Sequence, residues 1–333
     1  MQLHLNSYGA YLHVREDMFE VQVRAEGETR KTQVAAHKVK SIWLSTGTAL
    51  SSDAVKLAVR NNIDIVFLEN NGTPIGRVWH AKLGSTTLIR KRQLEASLGE
   101  AALHYTKQWV GAKMDNQIAL VESLRKHRPQ HLGYLDFQLE SMAVLRRQVA
   151  EIRARHVDDV ADSIRGWEGT CGRLYFETLS FVLPQQYQFG GRSFRPAKDP
   201  FNAFLNYAYG VLYSRVEKAL MLAGADPFVG FLHRDDYNYK SMVNDFIEPF
   251  RGYADKVVFS LFSAKKIRQD HTDPVTGGVS LNKEGKALLM EHFNQYLEEE
   301  KVRYKGRQQS RAATIQFDAH QFAAELIGKS SPQ

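Results

Sequence analysis

Three polar residues of this 333-residue chain stand in settings that are apolar or tightly turned, and their types together suit a divalent cation. Glu168 lies in Gly166-Trp167-Glu168-Gly169, near the predicted start of a helix whose other face carries Cys171, Leu174, Tyr175 and Leu179. His233 closes the apolar run Phe228-Val229-Gly230-Phe231-Leu232, ahead of Asp235 and Asp236. Glu248 and Asp245 stand three apart on a predicted helix over 241–250 and so share one face. Phe246, Ile247 and Phe250 make the surroundings apolar, where an unpaired carboxylate is costly unless a cation or hydrogen bonds accompany it. One imidazole and two carboxylates suit Mg2+ or Mn2+, with positions left for water and phosphate oxygens. Such an ion polarises a phosphoryl group and lowers the pKa of an attacking water or 3′-hydroxyl. Taken singly, each residue has an ordinary reading: a carboxylate at the positive end of a helix dipole, a satisfied loop histidine, two solvent-facing acids. Types and spacing alone leave that choice open.

Other chemistries are narrowed by what is missing. Cys171 is the only cysteine, which excludes a CxxC zinc site and an intrachain disulfide and fits a reducing compartment. No HExxH sequence occurs, and none of the twelve histidines is followed directly by Asp. Gly328-Lys329-Ser330 lacks the upstream glycine of a phosphate-cradling loop. The N-terminal residues carry no basic and then apolar leader, and no run of about 18 apolar residues is free of charge, so a cytoplasmic protein with no membrane span is expected. The net charge of +7 favours a polyanionic partner, though only weakly by itself.

The elements that must position these residues fall into two sets. Up to about residue 80 the pattern has period two, with Phe19, Val21 and Val23 on one face and Glu20 and Gln22 on the other. Similar runs are Tyr11 to Val14, Val39 to Leu44, Ile63 to Leu68 and Ile75 to Trp79, with turns at Gly27, Gly47 and Asn70-Asn71-Gly72. One helix interrupts them, capped by Ser51-Ser52-Asp53 and burying Val55, Ala58 and Val59. From about Thr87 the period becomes helical, with stripes Leu98, Ala101, Tyr105, Trp109, Ala112 and Leu135, Leu139, Met142, Leu145. Later helices are predicted at about 156–182, 200–222, 241–250, 282–304 and 316–327. The expected fold is α+β: a small β-sandwich-like domain over 1–86, then a larger, mainly α-helical domain over 87–333.

Several ordered blocks resemble the CRISPR-associated integrase family, the larger subunit of the spacer-acquisition pair, over nearly the whole chain. Glu168-Gly169-Thr170-Cys171-Gly172-Arg173-Leu174-Tyr175-Phe176 is similar to the family's Glu-Gly-x-Ala-Ala-Arg-x-Tyr-Phe, with Cys171-Gly172 in place of two alanines. Phe189 to Arg195, then Asp199-Pro200-Phe201-Asn202-Ala203, resembles its Arg-rich loop leading into a helix. Ala223 to His233 and Asp245-Phe246-Ile247-Glu248-Pro249-Phe250-Arg251 resemble the segments that follow, with Ala225 where Leu is common. Leu50 to Ala54 and Gly72 to Arg77 look like the family's β-domain.

The resemblance implies that Glu168, His233 and Glu248 are catalytic metal ligands for Mg2+ or Mn2+, with Asp245, Arg251 and Arg173 as candidates for supporting or phosphate contacts. It implies a metal-dependent endonuclease and integrase that inserts short duplex DNA into a CRISPR array through attack by 3′-hydroxyl ends. It further implies a homodimer formed through the β-domains and two such dimers around a small partner subunit. Arg192, Arg195 and Lys198, with Lys265, Lys266 and Arg268, are then candidates for duplex DNA contacts that position without reading sequence. Two other readings remain at this point: a catalytically idle DNA-binding scaffold of the same fold, and a hydrolase of small phosphoesters.

Overall fold

The computed structural model describes residues 1–25, 28–69, 74–78, 86–233 and 239–329. The expected turns at Gly27 and Asn70-Asn71-Gly72, the strand end at Trp79, and Asp235, Asp236 and Ser330 lie outside the described residues. The chain divides into two compact units, Met1–Leu83 and Gly84–Gln333.

In the first unit, β1 (Gln2–Leu5), β5 (Ser41–Leu44), β7 (Asp64–Leu68) and β8 (Pro74–Val78) form one sheet in the order β1-β5-β7-β8. The second sheet, in the order β4-β3-β2-β6, holds β2 (Tyr11–Arg15), β3 (Met18–Ala25), β4 (Glu28–Ala35) and β6 (Ala49–Leu50). Leu5, Ile42, Leu44 and Ile65 of the first sheet share one core with Leu12 and Phe19 of the second and with Ala54 and Ala58 of α1 (Ser52–Arg60). Ser51 caps α1, its hydroxyl accepting from Ala54 N at 3.1 Å. One expectation fails here: Glu20 faces away from Phe19 yet is only 2% exposed. Gln22 and Gln33 donate to its carboxylate at 3.0 and 2.9 Å, and these bonds hold its carboxyl near 2. Alternation told the two faces apart but not that the polar face is covered.

The second unit is built on α2 (Thr86–Ser97), α3 (Glu100–Lys126), α4 (Leu132–Glu151), α5 (Ala161–Val182) and α6 (Pro200–Ala223), continued by α7 (Ser241–Phe246) and α8 (Arg251–Ser263). Two hairpins follow, β9–β10 (Thr272–Val275, Gly278–Leu281) and β11–β12 (Lys301–Tyr304, Arg307–Ser310), with α9 (Lys283–Asn294) between them and α10 (Arg311–Leu326) closing the described chain. The helix predicted over 282–304 therefore stops early and turns into β11, α10 starts before 316, and the helix predicted over 241–250 breaks at a 3-10 turn, Glu248–Phe250. Pro249 explains the break, because its missing N–H cannot continue the helical ladder. Leu98, placed on the α3 stripe by spacing, is 73% exposed in the junction before α3. Tyr105, Trp109, Leu135 and Met142 are buried.

An aromatic cluster ties together the segments that matter next. Trp109 of α3 stacks on Phe231 with ring centroids 5.7 Å apart and meets Phe246 of α7 edge-on at 5.4 Å. Tyr105 and Phe322 of α10 pack on the same rings. Rings at these separations contribute packing beyond their buried area.

Candidate active site

Glu168 sits two turns inside α5, which begins at Ala161, so the expected place near the helix start, and with it a helix-dipole role, does not hold. Across from it runs α3, where Lys113 follows Trp109 by four residues and so shares its face. The Lys113 ammonium contacts Glu168 Oε1 directly and lies 2.6 Å from Glu248 Oε2. Glu248 opens the 3-10 turn, and its other oxygen, Oε1, accepts from Arg251 Nε at 2.8 Å. Asn116, one turn beyond Lys113, donates to Pro249 O at 2.8 Å and fixes that turn against α3.

The electrostatics are those of a compact ion cluster. Burial works against the charge of Glu248, but Arg251 and Lys113 outweigh it and hold the carboxyl well below its ordinary range. Burial likewise pulls on the Lys113 ammonium, and Glu248 and Glu168 more than compensate, so it is held above its ordinary value. Glu248 Oε2 is buried and accepts no well-aligned hydrogen bond, although the Lys113 charge stands beside it. Burial pushes the Cys171 thiol up to about 12, with Glu168 adding to the shift, which makes it an inert core residue rather than a nucleophile.

His233 is held by a different set of bonds. Asp245, 3% exposed, accepts backbone N–H groups from Phe231, Leu232 and His233 at 2.5, 3.0 and 3.1 Å, and its Oδ1 lies 2.5 Å from His233 Nδ1. A carboxylate only accepts, so Nδ1 is the donor in this pair, and in the neutral imidazole Nε2 is then the nitrogen with the lone pair. Gln93 of α2, fully buried, donates to the carbonyls of Asp226 and Val229 and accepts from Asp226 N. Arg165, one turn before Glu168 on α5, donates to Leu232 O at 2.7 Å. A side chain on Gly230 would come within 2.5 Å of Ser241 Cβ and 2.7 Å of His233 O, so the loop closes this tightly only with glycine there.

The structure thus brings Glu168 and Glu248 onto one cation, and it ties the His233 loop to α5, through Arg165 and Leu232 O, and to α7, just ahead of Glu248, through Asp245. Among the described residues, no group of three or more His, Cys, Asp and Glu side chains stands close enough to hold a metal ion. Arg173 is 60% exposed and paired with Glu177 one turn on. Arg192 stacks on Phe176 and Tyr209 and donates to Asn202 and Asn206, which makes it part of the folded scaffold. Arg195 lies over Phe194, Lys198 donates to Gly277 O, Lys266 meets His292 Nε2 at 3.0 Å and Arg268 pairs with Asp270. Lys265 takes a left-handed conformation just past the end of α8.

Beneath the ion cluster, Asp255 of α8 is 1% exposed and accepts from Tyr209 and Tyr175 hydroxyls at 2.5 and 3.1 Å. Burial raises its carboxyl to about 6 despite those bonds. The folded protein therefore binds more protons than the unfolded chain between about pH 4 and 6, and this residue's contribution falls as pH rises through that window. Relative to Asp255→Asn, wild type is expected to lose on the order of 3 kcal/mol of stability between pH 4 and 7, read by denaturant unfolding at stepped pH. Parallel curves for the two proteins would contradict the raised value.

A family model described as CRISPR associated protein Cas1 matches residues 3–295. The chain belongs to the Cas1 family. Two curated relatives share 31% identity with it: the CRISPR-associated endonuclease Cas1 1 of Archaeoglobus fulgidus, over 99% of this chain and 97% of the relative, and that of Thermus thermophilus, over the same shares. Among solved structures, a casposase bound to integration product superposes with a TM-score of 0.80 at 22% identity, covering 100% of this chain and 92% of that one. A CAS1 protein from Thermotoga maritima superposes at 0.79 with 20% identity, covering 100% and 99%. The α+β arrangement of a β-rich unit followed by a larger helical unit is therefore the Cas1 fold. Lys113, Gln93, Asn116 and Arg165 are the residues that sequence reading missed in this site.

Proposed function

We propose that this Cas1-family chain is a metal-dependent DNA endonuclease and integrase that joins short duplex DNA to a CRISPR array. The observation that carries the reading is that the His233 loop, with His233 oriented by Asp245, is tied to α5, which carries Glu168, and to α7, which leads into Glu248. The donor types suit a hard divalent cation: carboxylate oxygens, one of them buried without an aligned hydrogen bond, and an imidazole whose Nδ1 is held by Asp245. Glu168, His233 and Glu248 would hold Mg2+ or Mn2+, which when bound supplies Lewis-acid polarisation of the scissile phosphate and lowers the pKa of the attacking hydroxyl.

The chain's own residues prepare that chemistry. Arg251 holds one oxygen of Glu248 and so turns the other inward. Asp245 engages Nδ1 of His233 and so fixes the ring's orientation, leaving Nε2 as the nitrogen available to a ligand. In the joining step the 3′-hydroxyl oxygen bonds to phosphorus as the bond to the departing 3′-oxygen of the array strand breaks. The attacking hydroxyl releases a proton and the departing oxygen takes one up, so the number of phosphodiester bonds is unchanged. With water in place of the hydroxyl, the same geometry hydrolyses. Dimerisation through the N-terminal unit and assembly with a small partner subunit belong to the same proposal, the second supported by similarity in fold to a chain of a Cas6-RT-Cas1–Cas2 complex, of which this chain covers 35%.

The test supplies the protein and its small partner with short duplex DNA bearing 3′-hydroxyl ends and a supercoiled plasmid carrying a CRISPR repeat. Wild type is expected to join them with Mn2+ or Mg2+ and not with chelator. Glu168→Gln and His233→Ala are expected to fold, bind duplex DNA and lose joining by about 10²–10³-fold. DNA binding is expected to weaken steeply with salt, as several phosphates release counterions. Binding without joining under either metal makes the idle scaffold the better reading; hydrolysis of small phosphoesters without duplex binding makes the third.

A further inference from the structure

Lys113 has no place in the expected ligand set, yet it stands where the two carboxylates converge, with only 13% of its side chain exposed. Arg251 has already taken Glu248 Oε1, so Oε2 is the oxygen left to face α3. There the ammonium, 2.6 Å away, meets Oε2 as a charge without a well-aligned hydrogen bond. At that oxygen the contact is an ion pair that another cation can replace, the swap giving up in addition the hydrogen bond that Lys113 donates to Glu168.

Space and charge forbid sharing. A small divalent cation takes carboxylate oxygens at about 2.0–2.1 Å. An ammonium held by the same two oxygens would then lie within a few ångströms of it, in a buried setting where like charges repel strongly. The four-methylene stem of Lys113 allows the ammonium to leave without moving α3, and Glu168, 28% exposed, is the side of the cluster open to solvent.

We infer that Lys113 is a resident counter-cation that spans Glu168 and Glu248 until a divalent ion displaces it, so that loading this site is an exchange of one cation for another. This rests on the metal-dependent reading above. Lys113 and Arg251 match the charges of Glu168 and Glu248 one for one, which lets the two carboxylates share one ion cluster.

The experiment titrates Mn2+ calorimetrically into the full-length, DNA-free protein, comparing wild type with Lys113→Met, whose side chain keeps the length and lacks the charge. Removing the competitor is expected to tighten Mn2+ binding by about tenfold or more. In chelator the variant is expected to melt several degrees below wild type, and saturating Mn2+ is expected to close that gap. Mn2+ binding by wild type that Lys113→Met leaves unchanged or weakens would overturn the exchange while leaving the metal-dependent reading intact. Silence from both proteins would sink the two together. Should Lys113→Met not fold without metal, wild type alone carries the test through acetylation by acetic anhydride, read by peptide mass spectrometry. Acetylation of Lys113 is expected to rise several-fold on adding Mn2+, and an unchanged yield would overturn the inference.

Discussion

Replacing Glu248 by Ala is expected to abolish joining and to destabilise the fold by about 3–5 kcal/mol, the cost of leaving buried cations without their partner. The size of the effect follows from the two contacts of this carboxylate: Lys113 at one oxygen and Arg251 at the other, with Glu248 itself only 5% exposed. Glu248→Gln keeps the shape and an acceptor, so it is expected to recover part of the stability and none of the joining. Denaturant unfolding in chelator, beside the plasmid-joining assay, measures both. An Ala variant as stable as wild type would show that the ion cluster contributes little to the fold.

Asp245→Ala is expected to have the next largest effect, and a different one. Three backbone N–H groups and an imidazole lose their acceptor together, each orphaned donor costing roughly 1–3 kcal/mol where water cannot reach it. The loop would loosen, and His233 would lose the bond that selects its tautomer. Removal of such a supporting carboxylate weakens metal affinity by about 10–100-fold. Calorimetric Mn2+ titration is expected to show that loss, and in Asp245→Asn a smaller one, since an amide still accepts but no longer forces Nδ1 to donate. Wild-type Mn2+ affinity in Asp245→Ala would remove Asp245 from the positioning of His233.

Much of this was legible in the residues and some was not, for physical reasons. Period-two or apolar runs marked β2, β3, β5, β7 and β8 but not β1, β4 or β6, β4 being polar and exposed over most of its length, and they were blind to Glu20, since burial by polar neighbours leaves no hydrophobic trace. Glu248 stood out because phenylalanines surround it. Lys113 did not, although the stripe through Tyr105 and Trp109 runs on in a step of four to reach it. That continuation was the available signal: a lysine on a buried stripe needs a partner. Gln93, four residues after the buried Ile89, carried the same kind of signal. The β11–β12 hairpin was hidden by its turn, where Lys305 and Gly306 both take positive φ, a role that Asn-Gly usually advertises.

The order in which the charges occur along the chain has its own consequence for how the protein is made. Synthesis delivers Lys113 first and Glu168 next, a pair already neutral when α3 and α5 meet. Glu248 emerges later and brings Arg251 within the same turn. Within this ion cluster, neither carboxylate waits long for its counter-charge: Glu168 follows Lys113 along the chain, and Glu248 precedes Arg251 by three residues. A metal-binding centre built from distant acids would ordinarily expose the nascent chain to mutual repulsion until the ion arrived. In this cluster each carboxylate meets a cation of the same chain, so its assembly requires no added ion.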